Sequence, residues 1–278
     1  MNKRARPSDV ILDLMRGRSA KGLSAGYLIE ACSLFGFKDN TVRVTLSRLQ
    51  ARGLIDSPER GIYRLAATAD PVNEFVERWR DGERRVREWR AGDWIVVHLP
   101  GVDGHAFWAL DALGFREVRE TLFARPDNLD LLRDQLQQMA RRIGLPADAL
   151  FVYGEVSEDA QRWRQVWNCS AVEAGYAEMQ QRLQISAQRL SNLSRDDARL
   201  ESFRLGGEAI NLLAKDPLLP GQWVDINLRR SLWQQTIDYE RQGKRIWAYS
   251  RSTSSDVFPV ARAAHTSARP PKEVQHEA

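Results

Sequence analysis

The sequence predicts an α+β protein that is divided into several domains. Helical periodicity fills most of residues 8–51 and is followed by two short apolar runs. A continuous β-branched and aromatic run then occupies 94–99, and helical periodicity returns from 159 to 242. A chain of 278 residues is long enough for two or three domains with real cores.

Three consecutive segments at the start of the chain have the pattern of amphipathic helices. Ser8 and Ser24 stand where the first two helices need N-caps, and Asp39 is the N-cap candidate of the third. In the third helix, Val42, Leu46 and Leu49 fall at i, i+4 and i+7, which gives it one apolar face. Three helices with a tight turn before the last are typical of a helix-turn-helix.

A polar-tipped hairpin is predicted directly after the third helix. Gly53 stands where a helix C-cap belongs, and the runs 54–55 and 62–65 flank a turn-rich connection at 56–61. Helix, cap and ribbon in this order resemble the recognition helix and wing of a winged helix-turn-helix DNA-binding domain. We assign this domain to residues 1–66.

The positive charge of the chain is concentrated in this first segment. Residues 1–65 contain 12 Lys/Arg against 6 Asp/Glu, whereas the remaining residues contain 29 against 31. A local basic patch on an otherwise balanced chain is the electrostatic footprint expected of a protein that binds duplex DNA.

The central part of the chain changes from helical to strand patterning. Pro71 is predicted to start a charged linker helix, and the linker is placed at 67–91. A strand at 94–99, a helix at 105–113, a strand at 118–123, a helix at 129–143 and a strand at 150–156 follow. This order predicts a ferredoxin-like α/β domain over residues 92–157.

The last third of the chain is predicted to be helical. Helical patterns run from 159 to 213 and from 228 to 242, with the proline-containing DPLLP at 216–220 between them. We therefore expect a helical C-terminal domain over residues 158–249. Residues 250–278 are rich in Ser, Arg and Pro and are predicted to be a disordered tail.

Three passages of the chain carry a resemblance to a known family. They are FKDNTVRVTLSRLQARGLI with IYRL, RRVREWRAGDWIVVHLP, and LLAKDPLLPGQW. In this order and spacing the chain resembles the PaaX family of bacterial transcriptional regulators, named for the repressor of phenylacetic acid catabolism. The segment 89–97 is the most specific, because nothing in general helix-turn-helix chemistry requires it.

The resemblance implies both a function and a set of partners. It implies a repressor of a catabolic operon that binds operator DNA as a homodimer. It also implies release by a small effector of the CoA thioester class (an aryl- or acyl-CoA). It implies the same three domains that the patterns predict, and no resident cofactor or metal.

The outward face of the third helix supplies the predicted DNA contacts. Arg43 and Arg48 have the reach for guanine O6/N7 or phosphates, and Val44 has the shape to contact a thymine methyl. Arg60 at the ribbon tip is the predicted wing contact. The full predicted DNA-binding set is Asn40, Thr41, Arg43, Val44, Ser47, Arg48 and Arg60. The alternative is that some of these side chains are simply solvated.

Two other classes of function remain as alternatives. A metal-dependent nuclease on the ferredoxin-like domain is disfavoured, because its first strand ends at His98 with no carboxylate there; the nearest are Asp93 and Asp103. A DNA-binding architectural protein that needs no ligand is not excluded. The Arg- and Trp-rich segment 162–167 has groups suited to a CoA thioester, although simple core packing of its tryptophans is the more common explanation.

Nothing in the sequence predicts a membrane or secreted location. No run of 18 apolar residues is present, and the first residues lack the apolar core of a signal peptide. We therefore expect a cytoplasmic protein.

Overall fold

The computed structural model describes residues 6–16, 22–66, 71–156 and 160–248. It is a mixed α and β structure with two small antiparallel sheets. The predicted disordered tail lies outside the described residues. No helix in the part of the chain that is described has an apolar stretch suited to crossing a membrane.

The amino-terminal part consists of three helices and a three-stranded sheet. The elements are α1 (Pro7–Arg16), β1 (Leu23–Ser24), α2 (Ala25–Ser33), α3 (Asp39–Ala51), β2 (Ile55–Glu59) and β3 (Ile62–Leu65). The strand order is β1-β3-β2, and both pairings are antiparallel. Buried faces of the three helices meet in one core that includes Ile11, Leu28, Val42 and Leu46. The two-residue strand β1 was not predicted.

The ends of these helices test the predicted caps. The Ser24 hydroxyl accepts a hydrogen bond from the Tyr27 amide at 3.1 Å, which confirms that cap. The predictions for Ser8 and Asp39 were wrong, because α1 begins at Pro7 and Asp39 is the first helical residue after Lys38. Proline is suited to a first helical position, since the amide hydrogen it lacks would have no helical partner there.

The third helix ends where the sequence predicts. Gly53 has φ +67°, and its amide donates to the Gln50 carbonyl while the Leu54 amide donates to the Leu49 carbonyl. These two bonds close a Schellman motif, which turns the chain into the hairpin.

The hairpin has a tighter turn than the sequence predicts. The predicted connection at 56–61 is wrong, because β2 continues to Glu59 and leaves Arg60 and Gly61 as the turn. Pro58 lies in this outer strand, at a register shift between Asp56 and Glu59. An edge strand tolerates proline because its outward side needs no donor.

The predicted linker helix is shorter than its pattern suggests. Helix α4 covers Pro71–Glu77, and a 3₁₀ segment follows over Arg78–Arg85. Gly82 breaks this segment with φ +54° and ψ −128°. Trp79 is fully buried and belongs to the core of the helical part, so one face of the linker packs on that part.

The central part is a four-stranded antiparallel sheet covered by two helices. Its elements are β4 (Asp93–His98), α5 (Gly104–Ala112), β5 (Arg116–Arg119), β6 (Leu122–Pro126), α6 (Arg133–Arg142) and β7 (Leu150–Glu155). The strand order is β5-β6-β4-β7. Both helices pack on one face, since Leu110 and Leu136 share a core with Ile95 and Val97. The single predicted strand at 118–123 was wrong, because the chain forms a hairpin there, with Thr121 at φ +63°.

The other face of this sheet is covered by a tryptophan cluster. Trp94 on β4 is 2% exposed and lies within 6.1 Å, centroid to centroid, of four other indoles. These are Trp89, Trp163, Trp167 and Trp223. The cluster joins the sheet to the segments that lead into and out of the helical part.

The carboxyl-terminal part is made of four helices. They are α7 (Ala160–Trp163), α8 (Cys169–Arg189), α9 (Arg195–Ala214) and α10 (Ile226–Ala248). Helix α10 is longer than the predicted 228–242, and its last turn carries Trp247 into the core of the amino-terminal helices. Trp247 has no counterpart in the local pattern, so its burial depends on the neighbouring domain.

The DPLLP segment is held by buried polar groups. The Asp216 carboxylate accepts hydrogen bonds from the Tyr176 hydroxyl and from the Leu218 amide, both at 2.8 Å. Arg125 is fully enclosed and donates to the carbonyls of Leu113 and Pro217. Burial lowers the pKa of Arg125 to about 9. These bonds fix the position of the helical part against the sheet.

Candidate nucleic-acid interface

Helix α3 is held by one face and exposes the other. Val42, Leu46 and Leu49 are at most 2% exposed and anchor it in the amino-terminal core. All six predicted contact residues of the helix are exposed: Asn40, Thr41, Arg43, Val44, Ser47 and Arg48. Positions 40, 44, 47 and 48 recur at helical spacing, so these side chains lie along one outer face. We call this surface the outer face of α3.

Two polar side chains of the outer face are engaged within the helix. Arg43 Nε donates to Asp39 Oδ1 at 2.7 Å, in a pair whose side chains are 61% and 56% exposed. Exposed pairs one helical turn apart contribute only about 0.3–0.5 kcal/mol, so a phosphate would readily replace Asp39. The Ser47 hydroxyl donates to the Arg43 carbonyl at 3.2 Å and keeps its lone pairs available.

Arg48 and Arg60 are the two predicted contact arginines that are not in an ion pair with a described residue. Both are exposed, and neither side chain forms a hydrogen bond or ion pair with any residue in the described ranges. Arg60 occupies the hairpin turn, beside Gly61, whose carbonyl accepts from the Ala25 amide at 2.8 Å. That bond fixes the hairpin turn against the start of α2. Arg60 is therefore presented on a fixed backbone.

The helical part packs on the opposite side of the amino-terminal core. Phe35, which follows α2, meets Phe203 of α9 with ring centroids 5.0 Å apart. Glu30 of α2 lies 3.4 Å from the Arg199 guanidinium, and Trp247 of α10 enters the same core. The outer face of α3 is consequently left uncovered by the rest of the described chain.

Three further basic residues of the amino-terminal part were not among the predicted contacts. Lys38 and Arg52 flank the two ends of α3, and Arg64 lies on β3. All three are exposed. The outward position of Arg64 follows from strand alternation, and the two flanking residues follow from the helix boundaries. Each could have been found from the sequence once those boundaries were known.

The residues considered for a nuclease have other positions. The Asp103 carboxylate caps α5 by accepting from the Ala106 amide at 2.7 Å, and Asp93 begins β4 at the opposite end from the exposed His98. No group of three His, Cys, Asp or Glu side chains in the described ranges is arranged to hold a metal ion.

The Arg- and Trp-rich segment 162–167 takes part in packing. Trp163 and Trp167 belong to the tryptophan cluster, and the Trp167 indole donates to the Gly114 carbonyl at 3.2 Å. The Arg164 guanidinium lies 5.8 Å from the Trp223 ring centroid. Core packing therefore accounts for both tryptophans.

Residues 11–69 match the family model described as PaaX-like protein. This segment is PaaX-like. The predicted resemblance is confirmed there, and the match includes the whole of α2, α3 and the hairpin. The PaaX-like family is one of transcriptional regulators, and the match suggests that class of protein for the segment that it covers.

A solved structure resembles nearly the whole chain. The uncharacterized protein Rv0674 from Mycobacterium tuberculosis aligns with a TM-score of 0.58 and 20% sequence identity. The alignment covers 90% of this chain and 100% of that chain. At this identity the similarity shows the fold alone. No curated protein matches the sequence.

Proposed function

We propose that this protein is a winged helix-turn-helix repressor of a catabolic operon, released from its operator by a small effector. One observation carries the DNA-binding part of the proposal: the outer face of α3 is uncovered and carries two arginines. The PaaX-like match over the same residues supports it. A cytoplasmic location goes with this role.

The order of elements supports the proposed domains. Residues 1–66 would form the winged helix-turn-helix and 67–91 the linker. Residues 92–157 would form a ferredoxin-like domain, because the β-α-β-β-α-β order and the arrangement β5-β6-β4-β7 are those of that fold. The helices of 158–249 would form the C-terminal domain.

In the proposed complex α3 enters the major groove and the hairpin lies along the backbone. Arg48 is placed to reach guanine edges or phosphates, and Val44, which is 41% exposed, to contact a thymine methyl. Asn40 and Thr41 lie in the first turn of α3, where polar groups and backbone amides suit a phosphate. Arg60 would contact the backbone beside the groove.

A homodimer would read two half-sites of a pseudo-palindrome, with centres about one helical turn, or ~10 bp, apart. Closed two-fold dimers are the commonest oligomers, and the family resemblance implies one. Light scattering at micromolar concentration tests this part. A monomer mass with and without operator DNA would contradict it.

The DNA contacts are tested by salt-dependent operator binding. Footprinting on the DNA upstream of the gene supplies the site, and binding is then measured for wild type, Arg48→Ala and Arg43→Ala. If Arg48 contacts a phosphate, the slope of log K against log salt should fall by about 0.9. If it reads a guanine, affinity should fall about 5- to 150-fold at fixed salt.

Arg141→Ala is the matched control for these variants. Arg141 is an exposed arginine on α6, away from the PaaX-like segment, so its removal changes net charge by the same amount. The control should retain wild-type affinity and slope. Equal loss in all three variants would reduce the effect to net charge, and no loss in any of them would remove the outer face of α3 from the interface.

The effector is the second part of the proposal. The family resemblance favours an aryl- or acyl-CoA thioester, which would release the operator. Calorimetry with a panel of aryl-CoA thioesters, followed by operator binding in their presence, tests this class. Absence of both heat and release would favour a regulator that uses another ligand or an architectural protein that uses none. A ligand that binds only the folded state must raise the melting temperature.

A further inference from the structure

A cavity of about 470 Å³ lies between the amino-terminal helices and the helical part. Its walls come from four elements: α1, the α4 segment that continues to Arg80, α9 and α10. This volume is within the range of small-molecule sites in proteins. Because α1 belongs to the PaaX-like part and α9 and α10 do not, a molecule bound there would touch both.

One part of the cavity wall is apolar and aromatic. It includes Leu12 and Leu14 of α1, Val76 of α4, and Ile210 of α9. Phe203 and Trp247 add two rings. The ring centroids of these two residues are 6.0 Å apart. This wall is suited to the hydrocarbon or aryl body of a ligand.

The cations of the cavity are already neutralised by carboxylates. Arg80 makes a two-pronged pair with Glu240, at 2.6 and 2.7 Å, and a further bond to Glu77 at 2.7 Å. Lys244 lies 3.1 Å from the same Glu240 carboxylate, and Arg16 pairs with a carboxylate of its own helix. Each cation that the described residues contribute to the cavity wall therefore already has a carboxylate partner.

The carboxylates of the cavity are in excess. Among the described residues that line it, three are cations and four are carboxylates. The carboxylates are Asp9, Asp13, Glu77 and Glu240. Among the described residues, the carboxylate of Asp9 accepts from the neighbouring Ser8 hydroxyl, at 3.1 Å. The Asp13 carboxylate pairs with Arg16 at 2.5 Å, and its side chain is 46% exposed at the mouth of the cavity. A bound positive charge would be stabilised here, and a negative one would be repelled.

A glycine of α9 leaves room along the cavity that packing does not explain. A Cβ at Gly206 would lie in ordinary contact with the Tyr239 ring carbons, at 3.7 Å, and one at Gly243 would lie 3.4 Å from the Ser202 Cβ. Gly207 also lines the cavity, but a Cβ there would meet nothing within 4 Å. Glycine inside a helix costs about 1 kcal/mol relative to alanine. The open space at Gly207 is where a ligand would sit against the bare helix.

We propose that this cavity binds an amphipathic organic cation, with an ammonium group at Asp9 and Asp13 and an apolar body against Phe203 and Trp247. The binding site stands on its own geometry, whereas its consequence for DNA rests on the proposed function. The polyanionic part of a CoA thioester does not fit this charge pattern. The ligand class is therefore different from the one that the family resemblance implies.

Occupancy of the cavity is coupled to the position of the DNA-binding part. Phe203 and Trp247 line the cavity and also form the contact between the two parts of the molecule, through Phe35 and the amino-terminal core. A ligand that packs on these rings stabilises one arrangement of α1 relative to α9 and α10. It therefore shifts DNA affinity by its differential affinity for the two arrangements.

The test compares two probes of similar shape and opposite charge, 4-phenylbutylamine and 4-phenylbutyrate. Calorimetry on the full chain should give an affinity for the amine at least about tenfold higher than for the carboxylate, a difference of ~1.4 kcal/mol. Gly207→Leu should abolish amine binding by filling the cavity. Gly175→Leu is the matched control, since Gly175 is a glycine of α8 with equally open surroundings. Asp9→Asn should weaken the amine several-fold and leave the carboxylate unchanged.

Each outcome decides the proposal. Amine binding that Gly207→Leu abolishes and Gly175→Leu retains supports it. Binding of neither probe, preference for the carboxylate, or equal loss in both glycine variants overturns it. Operator binding is measured in parallel: a chain that binds the amine but no DNA refutes the proposed function and leaves the site intact. A chain that binds DNA but not the amine refutes the proposed cavity site and leaves the proposed function intact.

Discussion

Gly82→Ala is the substitution for which the structure gives the clearest magnitude. Gly82 has φ +54° and ψ −128°, a conformation that side-chain-bearing residues rarely adopt and that costs about 1–3 kcal/mol. A Cβ there would lie 2.6 Å from the Trp233 ring. The Trp233 indole cannot easily move, since it donates to the Trp79 carbonyl at 3.0 Å. Overpacking of this kind costs a further ~1–3 kcal/mol.

Gly53→Ala separates the two contributions. Gly53 also has a positive φ, +67°, but a Cβ there would meet nothing within 4 Å. Its cost is the backbone term alone, about 1–2 kcal/mol. We therefore expect Gly82→Ala to lose about 2–6 kcal/mol in total. In a domain of 150–250 residues each kcal/mol lowers Tm by about 2–4 °C.

Scanning calorimetry of the two variants beside wild type measures this difference. At the middle of these ranges, about 4 against about 1.5 kcal/mol, Gly82→Ala should lower Tm by roughly two to three times the amount seen for Gly53→Ala. Equal decreases would mean that Trp233 moves freely, and that the linker is not held by the contact described. A smaller decrease for Gly82→Ala would refute the reasoning outright.

Two further predictions concern buried titratable groups. Burial raises the pKa of Glu240, but hydrogen bonds and charges from Arg80 and Lys244 outweigh it and leave the pKa below its usual 4.5. The pair therefore stabilises the fold above about pH 4.5 and this stability is lost as pH falls through the folded pKa. The Glu240→Gln variant should be less stable than wild type at pH 7 by about 1 kcal/mol, and its stability should lack this acid-dependent component. Denaturant titrations of both proteins at pH 7 and pH 4 measure the difference. The same pH dependence in the variant as in wild type would contradict the prediction. Burial raises the pKa of the Cys32 thiol to about 11. Iodoacetamide at pH 8 should therefore label the half-buried Cys169 first and reach Cys32 only on unfolding. Equal labelling of the two cysteines in the native protein, read by mass spectrometry, would show that Cys32 is accessible.

Local periodicity was sufficient to predict the elements that bury one face. The spacing of Val42, Leu46 and Leu49 predicts α3 and its outer face, and Gly53 predicts the end of the helix. The same reasoning failed where burial depends on distant partners. Trp79 and Val86 continue an apolar stripe, yet the helix is broken at Gly82, where the Trp233 ring lies 2.6 Å from the place of a Cβ.

The exposure of the candidate residues was predictable from the sequence, but their environment was not. Outward positions of α3 follow from helix geometry, whereas the engagement of Arg43 by Asp39 depends on a helix boundary that was placed one residue late. The cavity had no local signal at all. Asp9 and Trp247 line it together, although they are far apart in the sequence, because α10 extends beyond its own periodic pattern to reach the amino-terminal core.

The proline in the outer strand of the hairpin has a consequence for how the molecule behaves in a crowded solution. An exposed strand edge normally offers unpaired amides and carbonyls to any other chain that can add a strand. At Pro58 one amide hydrogen is missing, and the register shift beside it bends the edge out of line. The hairpin can thus remain uncovered for contact with a nucleic acid while resisting the intermolecular sheet growth that leads to aggregation.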